Sequence, residues 1–374
     1  MKTCRLLFTG ISNPVENAGQ QKLYFLAREL EKLGCLVDVA VPEHSENHRL
    51  LEAIGFQGNA YFFDDQTCRS HLQQRAKILK TGRWQFVHSI GDGLRALIYG
   101  RAKFKVLYEF DEWISAYTSQ SIFKRFYLEI VCREKCRRAF GVICGSDYIA
   151  SKVSSFRPDL KSKILYLPVG ISSLENSVDL ALYKSLCDRF KDRRMFFYIG
   201  NVLSIYREQI AELFDLAEIC LESKCHSFIL IAGAGSDLEY WKAQAVERRL
   251  DSVIVFEGNV PRSKLATYCK AATVLLFPYP PSIPNIARCP TKLFHYAAAN
   301  RPLVTNRTGE VAKIFGDNAF YYEPGNSRDM FRACQAAILA HPAYGNGINL
   351  NSLTWESRAA SYYQWLSGIL LKSA

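Results

Sequence analysis

No Cys-x-x-Cys pair, no Asp-x-Asp pair, no short internal repeat and no low-complexity tract occurs in the sequence. Uncharged apolar runs are scarce too, and none approaches the roughly 18–20 residues that cross a bilayer. The stretch from Met1 to Gly10 has too short an apolar core for a secretory signal and reads as a first β-strand. Cys and His never cluster at short fixed spacing, so no metal centre is expected. The twelve cysteines lie in apolar segments such as Val142-Ile-Cys144, or in helix-like stretches, as Cys132, Cys136, Cys220 and Cys225 do. Scattered free cysteine behaves as a small buried hydrophobe in a reducing compartment. A cytoplasmic protein without disulfides is the expectation.

What is present is ordinary in amount and informative in placement. The chain has 374 residues, long enough for two domains, and 49% hydrophobic with 22% charged residues is the balance of a folded chain. Net charge is +11, and residues 1–170 hold 25 Lys and Arg against 17 Asp and Glu. From Arg69 to Lys105 there are nine basic residues and one acidic one, Asp92. Such charge favours nucleic acid, anionic lipid or phosphorylated small molecules. Nucleic acid is not expected, because the basic residues lack the aromatic interleaving of a base-stacking platform.

Short apolar runs alternate with helical periods along the whole chain. The first half predicts strands over 5–10, 36–42, 60–64, 85–91, 104–110, 141–146 and 163–169. Leu23, Leu26, Ala27, Leu30 and Leu33 form the stripe of a helix closed by Gly34. The second half predicts strands over 195–200, 227–233, 253–258, 273–278, 302–306 and 319–324, with a helical stripe at Ile210, Leu213, Phe214 and Ala217. Strands alternating with helices mean parallel α/β sheets. The charged, strandless stretch 169–194 separates the two series. The expected architecture is two Rossmann-like domains facing across a cleft, residues 1–170 and 171–350, with a helix in 351–374 returning to the first.

Open parallel sheets bind ligands beyond the carboxyl ends of their strands. Gly19 sits in such a strand-to-helix loop, where a glycine is either turn punctuation or an approach for phosphate. In the second half Gly200 with Asn201, Gly233 with Gly235, and Asn259 with Val260 follow three successive strands. Together they suggest one binding rim.

The order of these motifs resembles a GT-B glycosyltransferase over nearly the whole length, most closely the retaining glycosyltransferase family four. Asn17-Ala-Gly-Gln-Gln-Lys-Leu and Leu26-Ala-Arg-Glu-Leu before Gly34 are similar to that family's glycine loop and helix. Val87-His88, Tyr108-Glu-Phe-Asp111, Val142-Ile-Cys-Gly-Ser146 and Leu167-Pro-Val-Gly170 stand where its first-domain markers stand. Phe197-Tyr-Ile-Gly200, Gly233-Ala-Gly235, Phe256-Glu-Gly-Asn-Val260, Lys292, Pro302-Leu-Val304 and Gly309-Glu310 match its donor domain. The departures are definite. The family's two glutamates, eight residues apart, are here Ala287 and His295; the first glycine of its loop is Ala18; its Gly-Arg is Gly200-Asn201; its lysine is met by Arg207 only with one residue inserted.

The resemblance implies transfer of a sugar from a nucleotide diphosphate sugar to a glycan, lipid-linked or small-molecule acceptor, as in polysaccharide biosynthesis. It implies retention at the anomeric carbon, with no cofactor and no obligatory metal. Developing charge on the departing diphosphate calls for cations and helix N-termini. Arg207 and Lys292 are the candidates, Arg207 being a cation at a helix start, where the dipole disfavours it. Asp111 and His88 are candidates for positioning the acceptor. Gly19, Gly200, Asn201, Gly233, Gly235, Asn259, Val260, His295 and Glu310 are assigned to the donor, His295 being either a ribose contact or a filled core position. An inverting GT-B transferase with Asp111 or Glu109 as general base, and a catalytically silent GT-B binding protein, remain alternatives. The segment Ile122-Phe-Lys-Arg-Phe-Tyr127, with Arg133, Lys135, Arg137 and Arg138 beyond it, is either a peripheral contact with the inner face of an anionic membrane or a helix with a core-facing apolar side.

Overall fold

The computed structural model describes residues 4–10, 18–64, 68–82, 84–91, 104–117, 120–172 and 177–371, with side chains for all but 18–20, 68–72 and 371. Asn17, its preceding loop and, in the basic run, Arg83, Asp92, Arg95, Arg101 and Lys103 lie outside the described residues. The chain divides into two compact units. One joins Met1–Gly170 with Ala287–Cys289 and Asn351–Ala374; the other joins Ile171–Ile286 with Pro290–Leu350.

In the first unit the order is β1 (Arg5–Gly10), α1 (Ala18–Lys32), β2 (Leu36–Pro42), α2 (Ser45–Ala53), β3 (Ala60–Phe63), α3 (Cys68–Thr81), β4 (Phe86–Ile90) and β5 (Lys105–Phe110). Then come α4 (Ile122–Arg138), β6 (Gly141–Cys144), α5 (Asp147–Phe156) and β7 (Ile164–Tyr166). Among the described residues they make a parallel sheet ordered β3-β2-β1-β4-β5-β6-β7. Every residue of β4 and β6 is buried, as both faces of a parallel sheet demand. The stripe on α1 explains that helix: Leu23, Leu26, Ala27 and Leu30 are fully buried. Its end is set by Gly34 at φ +84°, with the Gly34 and Cys35 amides returning to Glu31 and Leu30 carbonyls at 2.9 and 3.1 Å. That left-handed turn admits glycine without strain.

The second unit runs α6 (Leu180–Arg189), β8 (Arg194–Ile199), α7 (Arg207–Glu222), β9 (Ser227–Ala232), α8 (Leu238–Glu247), β10 (Ile254–Gly258), α9 (Arg262–Ala271) and β11 (Val274–Phe277). It continues with α10 (Ile283–Ile286), α11 (Lys292–Ala299), β12 (Leu303–Thr305), α12 (Glu310–Phe315), β13 (Phe320–Tyr321) and α13 (Ser327–Ala340). Its parallel sheet is ordered β10-β9-β8-β11-β12-β13. The last helix, α14 (Trp355–Leu371), belongs to the first unit, where Ala359, Tyr362, Leu366 and Ile369 join the core beside the α1 leucines. Among the described residues no helix is long and apolar enough to cross a membrane. Two parallel, Rossmann-like sheets are what the alternating pattern predicts.

Candidate functional site

In the second sheet the chain steps from β8 outward through β9 and β10, then returns to β11 on the other side of β8. The carboxyl ends of β8 and β11 therefore flank a topological switch point, where such sheets open a crevice for ligands. The two strands pair at Phe196 and Phe197. Beyond that the Ile199 amide donates to the Tyr296 hydroxyl at 3.1 Å, and this hydroxyl donates to the Leu276 carbonyl at 3.2 Å. Helix α11 thus drives one side chain between the strand ends. One turn earlier, Lys292 bonds the Ile199 carbonyl. Its Nζ lies 4.7 Å from the Tyr198 ring centre and 4.8 Å from that of Phe277, within cation–π range. A Cβ on Gly200 would stand 2.8 Å from this Nζ and 2.4 Å from the Tyr198 hydroxyl. Any larger residue there would displace first the Tyr198 ring end and then the lysine.

Gly233 and Gly235 have a different reason. Their Cβ atoms would lie 1.8 Å from the Gly200 carbonyl oxygen and 2.1 Å from that of Val202. The loops after β8 and β9 run side by side, with amide-to-carbonyl bonds from Gly200 to Ala232 and from Val202 to Ala234, both 3.0 Å. The glycine rim is first of all a backbone zipper. Asn201 and Asn259 are exposed on it, and Val260 is half-buried. Glu310 is buried and opens α12, a favourable end of the helix for a carboxylate. His295 is buried, with Phe294 and Tyr296 beside it in the chain, on a helix whose side chains face inward almost all round.

Arg207 does open α7, as the sequence suggests, but its charge is answered by protein. Its Nε lies 2.5 Å from Asp237 Oδ2, and its guanidinium packs over the Tyr240 ring. The mismatch of a cation at a helix start is met by Asp237, so it no longer argues for an anionic ligand.

The first unit gathers an ionic cluster at the end of β5. Lys22, fully buried, reaches Glu109 Oε1 at 2.6 Å, Asp111 Oδ1 at 3.4 Å and the Leu167 carbonyl at 2.5 Å. The other Glu109 oxygen lies 2.6 Å from His88 Nε2, and His88 Nδ1 lies 3.3 Å from the Tyr362 hydroxyl. Burial, with Lys22 nearby, pushes His88 down to about 3, so the ring is neutral. Nε2–H then donates to Glu109, and Nδ1 accepts from Tyr362. Burial works to lower Lys22, but Asp111 and Glu109 outweigh it and hold the ammonium above its ordinary value. Burial and the Glu109 charge push Asp111 up to about 7 against the pull of Lys22. Asp111 alone of the five reaches solvent, its side chain 28% exposed against none for Lys22, Glu109 and His88. The expectation that His88 positions an acceptor is therefore corrected: both ring nitrogens are engaged inside the core. Glu109 is likewise no general base, since both its oxygens face buried partners.

Ala287, one of the departures from the resembled pattern, is also placed by the structure. It is fully buried in the first unit's core beside Tyr108, Trp113 and Cys144, and its carbonyl accepts from Ser146 Oγ at 2.8 Å. The position of the family's first glutamate belongs to the first unit here. Gly19 lies in the first turn of α1, as the backbone shows. Among the described residues no three His, Cys, Asp or Glu side chains gather as metal ligands.

Sequence reasoning missed Lys22, Tyr296 and Tyr362. For Lys22 there was a signal: it stands four residues before Leu26 and eight before Leu30, on the apolar face, where a cation needs a buried partner.

A family model described as Glycosyl transferases group 1 matches residues 193–339. No curated relative matches the sequence. Among solved structures, Anabaena HepE in complex with UDP and glucose is similar at a TM-score of 0.76 and 14% identity, covering 98% of this chain and 100% of its own. Sucrose-phosphate synthase from Thermosynechococcus elongatus is similar at 0.70 and 16%, covering 99% and 100%. WaaG, a glycosyltransferase involved in lipopolysaccharide biosynthesis, is similar at 0.62 and 13%, covering 96% and 94%. The fold is GT-B, and residues 193–339 are similar to the group 1 glycosyltransferase model.

Proposed function

We propose that this chain, a glycosyltransferase of GT-B fold with a group 1 domain, binds a nucleotide diphosphate sugar at the carboxyl edge of its second sheet and moves the sugar to a hydroxyl of a glycan or lipid-linked acceptor. The observation that carries the reading is Lys292, an ammonium held at the β8–β11 switch point on the Ile199 carbonyl and two aromatic faces. A cation fixed before the reaction stabilises the charge that grows on the departing diphosphate without reorganising. HepE, similar in fold, is solved with UDP and with UDP-glucose, which supports a uridine donor. Gly200, Asn201, Gly233, Gly235, Asn259 and Val260 are the proposed donor rim, with Glu310 behind it. Arg207 contributes only if a phosphate competes with Asp237. In this reading the nucleotide sugar is a substrate and no cofactor is called for. Retention follows from the resemblance to family four.

One observation favours the inverting alternative. Asp111 is half-buried, reaches solvent and is raised to about 7, which suits a general base near neutral pH. The anomeric configuration of the product, assigned by NMR, separates the two mechanisms.

The reading is tested by thermal shift and turnover with UDP-, GDP- and ADP-sugars. A ligand bound only by the native state raises apparent stability by mass action. One sugar nucleotide should raise the melting temperature of the wild type and less that of Lys292→Ala. Absence of any shift and of any turnover or hydrolysis would leave the silent binding protein in its place.

A further inference from the structure

Helix α4 has two apolar faces, and only one is packed. Val131, Cys132 and Cys136 are buried, the two cysteines in the core beside Tyr108 and Val142. On the opposite side Ile122, Phe123, Phe126, Tyr127 and Ile130 are 73, 85, 70, 43 and 50% exposed. Spacings of one, three and four residues put these five on one continuous stripe. Single exposed apolar side chains are common, but a contiguous set with two phenylalanines facing water marks a contact surface. The packed face lies in the second half of the helix, while the first half exposes Ile122, Phe123, Lys124, Phe126 and Tyr127 together. The alternative of a core-facing apolar side, open from the sequence, does not hold for these residues.

Charge identifies the occupant. The helix carries six basic and two acidic residues, and of the six only Lys135 is buried. Lys124 and Arg125 are interleaved with the stripe. Arg133 and Arg137 extend it beyond Ile130, each paired with one glutamate, Glu129 or Glu134. The helix's net charge of +4 is half of the excess of eight positive charges in residues 1–170. A second copy would bring like charge against like. An anionic bilayer offers the opposite: phosphates for the cations and a headgroup boundary for the rings.

We propose that the outward face of α4 docks the chain on an anionic lipid surface, Phe123 and Phe126 entering the headgroup region while Lys124, Arg125 and the arginines beyond Ile130 meet lipid phosphates. Long basic side chains reach outward while their stems lie along apolar surface. Docking of this kind needs no sugar nucleotide, so it goes beyond the reaction proposed above and fails or stands independently of it.

The test is co-sedimentation of the full chain with vesicles of phosphatidylcholine alone or with phosphatidylglycerol added, without donor. Recovery should be more than about tenfold higher with anionic vesicles and fall as salt rises. The double variant Phe123→Glu and Phe126→Glu should lose it while keeping the wild-type melting curve, since both side chains are exposed. Phe126→Leu should keep most of it. Equal recovery on both vesicles, or full anionic binding by the double variant, overturns the proposal. So does a wild-type dimer that the double variant dissolves, which would make the stripe a face between copies.

Discussion

Lys22 and Lys292 both lie beside the carboxyl end of a parallel strand, yet their surroundings differ in kind. Lys22 is enclosed with the carboxylates of Glu109 and Asp111 and has no exposed surface. Lys292 is half-buried on a carbonyl and two ring faces, at the point where its sheet divides. A cation locked between buried carboxylates serves the fold and sets the acidity of its neighbours. One that bonds a strand-end carbonyl and lies over two rings at a switch point is the one proposed to meet an incoming anion. The same residue type has two uses, told apart only by its partners.

The largest expected effect breaks the first half of that contrast. Lys22→Met leaves the Glu109 carboxylate buried without its ammonium, and removing one partner of a buried pair costs about 3–5 kcal/mol. Urea denaturation should show a loss of that size; a loss near zero would mean that Lys22 is not structurally required. Lys292→Ala should instead leave stability nearly unchanged and lower turnover about 10²–10³-fold, with a smaller change in donor binding. A protein that unfolds without losing rate would reverse the assignment.

Smaller effects sharpen the contrast. Asp111 is raised in the folded state from 3.8 to about 7, so the fold holds its proton more tightly than the unfolded chain does. The Asp111 contribution to stability should therefore fall as pH rises between these two values and level off above them, against the opposite slope that the neutral His88 adds between about 3 and 6.5. Melting curves of Asp111→Asn across the Asp111 range should lack the falling contribution. Tyr362→Phe removes the donor to His88 Nδ1 and should cost about 1 kcal/mol in denaturation. Arg207→Ala should matter least for stability, because the guanidinium is more than half exposed and solvent screens its pair with Asp237; a loss of turnover equal to that of Lys292→Ala would return Arg207 to the donor site.

The strands were legible to within a residue or two at most ends, because parallel sheets bury both faces and write themselves as short apolar runs. The end of α1 was equally plain, since Gly34 supplies a backbone conformation that other residues adopt only under strain. Lys292 was legible as a cation at a helix start. His88 was misjudged because a histidine near a strand's end looks alike in sequence whether its ring faces solvent or two buried partners. The apolar stripe of α4 was ambiguous for a related reason: periodicity fixes which residues share a face, and not which way the face turns.

What the sequence by itself determined is the alternation of strand and helix and the division into two Rossmann-like units. Local patterns suffice for these, because hydrophobic period and glycine placement act over a few residues. The tertiary structure decided which charges are paired. Lys22 meets Glu109 across 87 residues of chain, Tyr362 meets His88 across 274, and Ala287 leaves its sequence neighbours for the core of the other unit. Coulomb and hydrogen-bond energies depend on distance in space and on burial, and neither is written in the order of residues.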